Sequence, residues 1–386
     1  MNVRYKMHKE NYSNPLQMQC LSLPDLCEAQ IEGSAAGVKN AIPADILKNI
    51  RKIIFTGCGD SYMAAEAVIP AFKHYARLFG VDFEVMRCID AARCLSVDPR
   101  NADATLLIAI SASGSPARIS EALLHAKAQG VHTMAVTNNP ESGAGKSAEY
   151  ILHVGTPSFP NPNPGLRNYY ASLVSLMVFA AYYGEVKGIS PEGSVNTLCA
   201  KIREYTKTFG SAIPAMDEKM FELARRWQKF DGFDMLGDDT DFSTASFIAA
   251  KFVEVAGVMC ATCDTENWCH VEFFKSNPEE TGTVIVCRKD GANLSRVKET
   301  IHQAQCIDRP VLLITDSDEE FKLSPSSIRC QLPSPPAGYD FLSPVLNYVP
   351  GALLASYYSA LNKIVYFRGG VWETANTIKS SRIVVG

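Results

Sequence analysis

Two short segments carry the residue types that hold an anion. Ile110-Ser-Ala-Ser-Gly-Ser-Pro116 puts Ser111, Ser113 and Ser115 around a glycine where an apolar strand hands over to a helix. Serine hydroxyls and the free N–H groups of a helix start donate to phosphate oxygens, and the helix dipole adds to them. A serine-rich helix cap is the plainer alternative. Gly57-Cys-Gly-Asp-Ser61 forms a second loop of this kind on the preceding strand–helix turn. Two neighbouring loops argue for a pocket over two separate caps. No G-x-x-x-x-G-K-[ST] and no G-x-G-x-x-G occurs, so neither a nucleotide P-loop nor a dinucleotide fingerprint is supported.

The loops need elements to position them. Lys52–Thr56, Phe83–Met86, Ala104–Ile110, Thr133–Thr137 and Tyr150–Val154 read as strands. Helices are expected over Leu23–Ala36, Tyr62–Phe79, Ile119–Gln129 and Tyr169–Tyr183. Strands alternating with helices imply βαβ units and a parallel sheet buried on both faces. The proline-dense stretch Pro157–Pro164 is a loop, and the region around 190–228 is helical. The rhythm then repeats, with strands at Asp234–Gly237, Thr283–Cys287 and Pro310–Thr315. Helices follow at Ser243–Gly257, Leu294–Ala304 and Val345–Asn362. The predicted fold class is α/β: two three-layer units with mostly parallel sheets, the second without so clear a phosphate loop. The expected divisions are an arm over 1–34, a first unit over 35–190, a helical linker over 191–228 and a second unit with a tail over 229–386.

Bulk properties narrow the function classes. The 386 residues are 47% hydrophobic and 20% charged, with a formal charge of −4. A nucleic-acid partner would show as a basic excess, so none is expected. The opening residues Met1–Tyr12 are polar, and the longest apolar stretch, of about 15 residues, is too short to span a bilayer. A cytoplasmic protein with no membrane partner is expected. The twelve cysteines then read as reduced thiols, many of them small core side chains. Cys260-Ala-Thr-Cys263 with Cys269-His270 hints at zinc, but the second pair is adjacent and lacks ligand spacing. Neither metal nor organic cofactor is expected.

Gly57-Cys-Gly-Asp-Ser-Tyr62 is similar to the G-C-G-T-S-Y of the SIS (sugar isomerase) family, and Ser111-Ala-Ser-Gly-Ser-Pro-Ala117 to its S-Q-S-G-E-T-A. Tandem copies resemble the isomerase half of glucosamine-6-phosphate synthase and the fructosamine-6-phosphate deglycases. The resemblance covers about residues 30 to 386. Ala249-Ala-Lys-Phe-Val-Glu254 resembles the family helix ending in K-L-K-E, whose glutamate moves a proton between sugar C1 and C2. The family's ring-opening histidine follows sixteen residues later, and here that position is His270. Val271-Glu272 replaces the family's G-P. Asn376-Thr-Ile-Lys-Ser380 resembles N-L-A-K-S, which makes Lys379 the counterpart of a lysine that helps open the ring.

The chemistry of these side chains agrees with such roles. A carboxylate can shuttle a proton next to a carbonyl, and an imidazole can open a hemiacetal ring. A lysine can steady an oxyanion. Lys251 and Glu254 are three apart and share a helix face. A surface ion pair, a satisfied histidine and a tail lysine are the alternatives for each residue taken alone.

The resemblance implies an enzyme acting on an aminosugar or ketosamine 6-phosphate. Ser61, Ser111, Ser113 and Ser115 would hold the phosphate, with Gly59, Gly114 and Lys251 also on the substrate. Glu254, His270 and Lys379 would be catalytic. An isomerase, a deglycase and a deaminase all remain open, as does a non-catalytic sugar-phosphate sensor. The chain opens without an N-terminal cysteine nucleophile or glutaminase segment, which leans the expectation toward breakdown. A homodimer or dimer of dimers is implied, because the family's histidine comes from a neighbouring subunit. Departures from the family pattern are Pro116 for a phosphate-contacting threonine, Ser115 for an acid and Asp60 for a threonine. Arg118 or Arg167 is the candidate for compensating charge.

Overall fold

The computed structural model describes residues 8–76, 80–367 and 383–384. The chain opens with α1 (Pro15–Leu21), α2 (Leu23–Ala41) and α3 (Ala44–Asn49). The first unit follows as β1 (Lys52–Gly57), α4 (Asp60–Ala76), β2 (Asp82–Val85), α5 (Cys88–Arg93), β3 (Thr105–Ile110) and α6 (Ala117–Ala128). It continues with β4 (His132–Thr137), α7 (Gly143–Ser147), β5 (Tyr150–His153) and α8 (Leu166–Val186). A long helix, α9 (Ser194–Arg226), leads to the second unit. That unit runs β6 (Gly232–Leu236), α10 (Thr240–Ala256), β7 (Met259–Cys263), α11 (Thr265–His270), β8 (Thr281–Cys287) and α12 (Leu294–Cys306). It ends with β9 (Val311–Thr315), β10 (Ile328–Gln331) and α13 (Val349–Leu361).

Each unit holds one five-stranded sheet, ordered β2-β1-β3-β4-β5 and β7-β6-β8-β9-β10. Every strand pair is parallel. The two orders are the same when the strands are matched in sequence order, so the repeat expected from the rhythm is present as topology. The central strands are buried throughout, as in Thr105-Leu-Leu-Ile-Ala-Ile110 and Thr281–Cys287. Burial on both faces is what helices on each side of a parallel sheet produce.

The structure adds strands that the pattern concealed. β7 and β10 are edge strands with half-exposed residues, so neither reads as a continuous apolar run. The last helix begins at Val349, not Val345, because Asp340–Val345 forms a 3-10 turn containing Pro344. α8 extends beyond the expected apolar stretch to Leu166 and Val186, and Tyr170, Leu173, Met177 and Phe179 on it are fully buried.

One hydrophobic core runs through both units, from Phe55 and Phe72 to Phe233 and Phe252. At the join, the Tyr169 ring of α8 stacks on Phe247 of α10 with centroids 3.8 Å apart. The contact brings the middle of α10 against the first unit's helices, α4 and α8.

Candidate functional site

In the first sheet the strand order reverses between β1 and β3, and the crevice beyond their carboxyl ends is where open α/β sheets bind ligands. Both anion-type loops leave from these two strands. Gly57 lets β1 turn tightly into α4: a Cβ there would sit 2.6 Å from the Ser61 backbone. Gly114 has φ +63°, and a Cβ would meet Ser142 Oγ at 1.9 Å. The loop is braced internally, since Ser111 Oγ accepts from Gly114 N–H at 3.1 Å and Ser113 and Ser115 hydroxyls lie 2.8 Å apart.

The loops border a cleft of about 340 Å³. Gly59, Ser61, Ser111 and Ser113 line it on one side, and Glu254 of α10 enters from the second unit. Gly114, Ser115 and Lys251 are not among its lining residues. Gly114 instead shapes the loop, Ser115 backs Ser113, and Lys251 lies fully buried beneath the floor. His270 lies away from the cleft at the end of α11; its side chain is 69% exposed and Nε2 is 2.9 Å from Glu266 Oε1. Lys379 lies outside the described residues. Nearby in sequence, Val384 N–H donates to Glu121 Oε1 on α6 at 3.3 Å, so the chain end returns to the helix that follows the serine loop.

Charge is arranged unevenly around the cleft. The Lys251 ammonium donates to Glu254 Oε2 at 2.6 Å, to Asp60 Oδ2 at 2.7 Å and to the Pro164 carbonyl at 3.3 Å. Burial works against the Lys251 charge, but Asp60 and Glu254 outweigh it and hold the lysine above its ordinary value. Burial pushes the Glu254 carboxyl up to about 7, with Asp60 pushing the same way and Lys251 pulling against both. A carboxylate so tuned is half protonated near neutrality, which suits a group that must take and return a proton.

The expectation that Arg118 or Arg167 supplies charge to the phosphate is corrected. Arg118 is paired with Glu121 on α6. Arg167 is buried, donates to Ser22 Oγ at 2.7 Å and covers the Phe159 ring. Neither lines the cleft. The hydroxyl-bearing loop residues on the cleft are Ser61, Ser111 and Ser113, whereas the Ser61, Tyr62 and Met63 N–H groups at the start of α4 donate to the Cys58 and Gly59 carbonyls and the Ile119 N–H of α6 donates to the Pro116 carbonyl.

The second unit closes the corresponding edge on itself. Gly237 approaches the Asp241 backbone as Gly57 approaches Ser61, with a Cβ distance of 2.4 Å. Acidic residues follow instead of serines. Asp241 accepts from Arg288 Nε at 3.1 Å and from Arg288 N–H at 3.0 Å, both side chains being buried. Burial lifts Asp241 to about 6 despite Arg288. With Asp238, Asp239 and Asp290 around it, this edge repels an anion.

Several lining residues escaped the sequence reading. Asn168, Tyr169 and Ser172 come from α8, after the proline-dense loop. Their letters sit in a largely apolar core helix, and only the packing of α8 against α4 reveals the side facing the cleft. Cys58 also lines it, and a hydrogen bond with the Cys88 thiol holds the Cys58 thiol below its ordinary value. Cys260 and Cys263 lie half-buried on β7, and among the described residues no group of three or more His, Cys, Asp or Glu side chains is arranged to hold a metal ion. No described helix is long and apolar enough to cross a membrane.

The SIS domain profile matches residues 46–182, which include both serine-bearing loops. A glutamine–fructose-6-phosphate aminotransferase (isomerizing) of Bradyrhizobium diazoefficiens is 27% identical over 93% of this chain and 56% of its own length. The enzyme of the same name from Helicobacter pylori is 26% identical over 66% of this chain and 40% of its own. The chain thus spans about half the length, or less, of these curated relatives. Among solved structures, the C-terminal domain of glucosamine-fructose-6-phosphate aminotransferase from Francisella tularensis matches with TM-score 0.75 at 18% identity, covering 92% of this chain and 98% of that one. A glucosamine-6-phosphate deaminase from Thermotoga maritima matches with TM-score 0.62 at 16% identity, covering 92% and 96%. The family profile falls on the first unit and the second repeats its strand order, so the chain carries a SIS domain within a pair of parallel-sheet units.

Proposed function

We propose that the chain binds a sugar 6-phosphate in the cleft and moves a proton between adjacent sugar carbons, with Glu254 as the base. The supporting observation is that Glu254, tuned by burial, shares one cleft with the Ser61 and Ser111–Ser113 loops although these lie far from it in sequence, in the other unit. The phosphate would rest on the hydroxyls of Ser61, Ser111 and Ser113, with Ser115 bracing Ser113. The sugar carbons would then extend toward α10. Glu254 takes the proton from the carbon beside the carbonyl or imine, leaving an enediol or enolamine, and returns it to the neighbouring carbon. Acid–base work alone completes that exchange.

An aminosugar or ketosamine 6-phosphate is the substrate class this reading favours. The names of the relatives point to aminated hexose phosphates. In addition, Asp60 and Glu254 together outweigh Lys251 by one charge, which suits an amine at the sugar end. Return of the proton alone gives isomerisation; hydrolysis of the resulting imine would release the amine.

Ring opening is assigned to His270 from a second copy, assisted by Lys379. Two observations support a shared site. His270 does not reach its own chain's cleft, and exposed apolar side chains surround it, with Val271 61% and Phe274 76% exposed.

The test is solvent deuterium exchange at the carbon beside the carbonyl, followed by NMR over a panel of hexose, aminosugar and ketosamine 6-phosphates. Exchange by the wild type, falling at least ~100-fold in Glu254→Gln, is expected. Binding without exchange, unchanged in Glu254→Gln, would replace this reading with that of a sugar-phosphate sensor.

A further inference from the structure

Lys251 links Glu254 to a second carboxylate from another element, Asp60, beneath the cleft floor. Its ammonium has three protons and three acceptors: Asp60 Oδ2, Glu254 Oε2 and the Pro164 carbonyl. It is fully buried and lies 4.6 Å above the Phe247 ring, so it has neither a free donor nor a path to a ligand. Asp60 opens α4 in the first unit, whereas Lys251 and Glu254 lie on α10 in the second. The other oxygen of Asp60, Oδ1, is buried without a hydrogen-bond partner. A polar atom left unpaired in the interior costs about 1–3 kcal/mol. A neutral residue could accept from Lys251 without that cost, which leaves the negative charge itself to be explained.

We propose that Asp60 is a positioning residue for Glu254: by sharing the Lys251 ammonium it leaves one Glu254 oxygen facing the cleft and sets how firmly that carboxylate holds its proton. The proposal rests on Glu254 being the base. With Asp60 present, one cation serves two anions, and Glu254 stays basic enough to take a proton. Without that charge, Lys251 pairs with Glu254 alone, favours its ionised form and weakens it as a base. The other titratable groups that face this cluster are Tyr366, which feels the Glu254 charge, Tyr169 and Tyr348, which feel Asp60, and the Cys20 thiol, which feels Lys251. All four are pushed upward by burial, so they stay neutral through the range in question.

The experiment is a carbon-detected NMR titration of Glu254 in the full chain without ligand, assigned by its loss in Glu254→Gln. It is paired with the pH profile of kcat/KM for deuterium exchange. In Asp60→Asn, the Glu254 midpoint should fall by about one pH unit. The acid limb of the profile should move with it, and kcat near neutrality should drop with KM little changed. Asp60→Thr keeps an acceptor for Lys251 but removes the charge, and should shift the midpoint the same way. An unchanged midpoint in folded Asp60→Asn and Asp60→Thr would overturn the proposal and leave Asp60 a strut between units. Failure of both variants to fold would overturn it as well. A shifted midpoint with no exchange on any sugar phosphate by the wild type would keep the coupling and sink the proposed function instead.

Discussion

Glu254 has what a base working near neutrality needs: burial that raises its proton affinity and a buried cation that keeps the ionised form accessible. It must be ionised to accept a proton. kcat/KM should therefore rise about tenfold per pH unit below the Glu254 value of about 7 and level off above it. A pH–rate profile without an inflection in that region would count against Glu254 as the base. Cys58 offers an independent probe of the same cleft. Its exposed thiol is held below the ordinary value by Cys88, whereas burial pushes Cys20 up. Iodoacetamide should alkylate Cys58 early, read by peptide mass, and a bound sugar phosphate should slow that reaction. Equal labelling with and without ligand would place the ligand elsewhere.

At the scale of elements, the site depends on close approaches that only glycine permits. Gly114 lets the serine loop fold over the turn capped by Ser142, whose Oγ accepts from Gly145 N–H at 3.2 Å. Gly114→Ala adds a Cβ at positive φ and displaces Ser142, which should cost about 1–3 kcal/mol in urea unfolding. Phosphate affinity should weaken with it, because Ser111 and Ser113 move with the loop. Full stability in that variant would mean that the loop can adopt another conformation. The second unit supplies a natural contrast. It keeps the tight turn at Gly237 but carries Asp238, Asp239, Asp241 and Asp290 at this edge, and Arg288 offsets only part of their charge, so the edge is unsuited to an anion.

At the scale of the molecule, the cleft exists because two units share a core. The stacked Tyr169 and Phe247 rings hold α10 where Glu254 meets a loop of the other unit. This arrangement also ties the base to stability. Glu254 is raised from an ordinary 4.5 to about 7 in the fold, so its contribution is present below 4.5 and is lost as pH rises through 7. Relative to wild type, Glu254→Gln should gain thermal stability between those values, measured by calorimetry at stepped pH. A constant difference would mean that Glu254 is not raised. If the site is shared between copies, mixing inactive His270→Ala and Glu254→Gln chains, after unfolding and refolding together, should recover activity that neither has alone. No recovery would argue that His270 acts within its own chain or not at all.

The amino-acid sequence by itself determined the α/β class, the repeat and the two loops, because these rest on local terms. Apolar runs make buried parallel strands, and glycines with serines make strand–helix turns. The edge strands β7 and β10 were less legible, since half-exposed residues carry no such pattern. Lys251 and Glu254 were visible as neighbours on a helix face, but not Asp60 as the third member, because nothing local connects positions 60 and 251. Arg167 looked available in the sequence and proved buried against Ser22. Only the tertiary structure decided that Asp60, Lys251 and Glu254 meet beneath the Ser111 loop. The reason is physical: loop and strand preferences are set within a few residues, whereas burial, charge sharing and a cleft between units arise when a common core brings distant segments together.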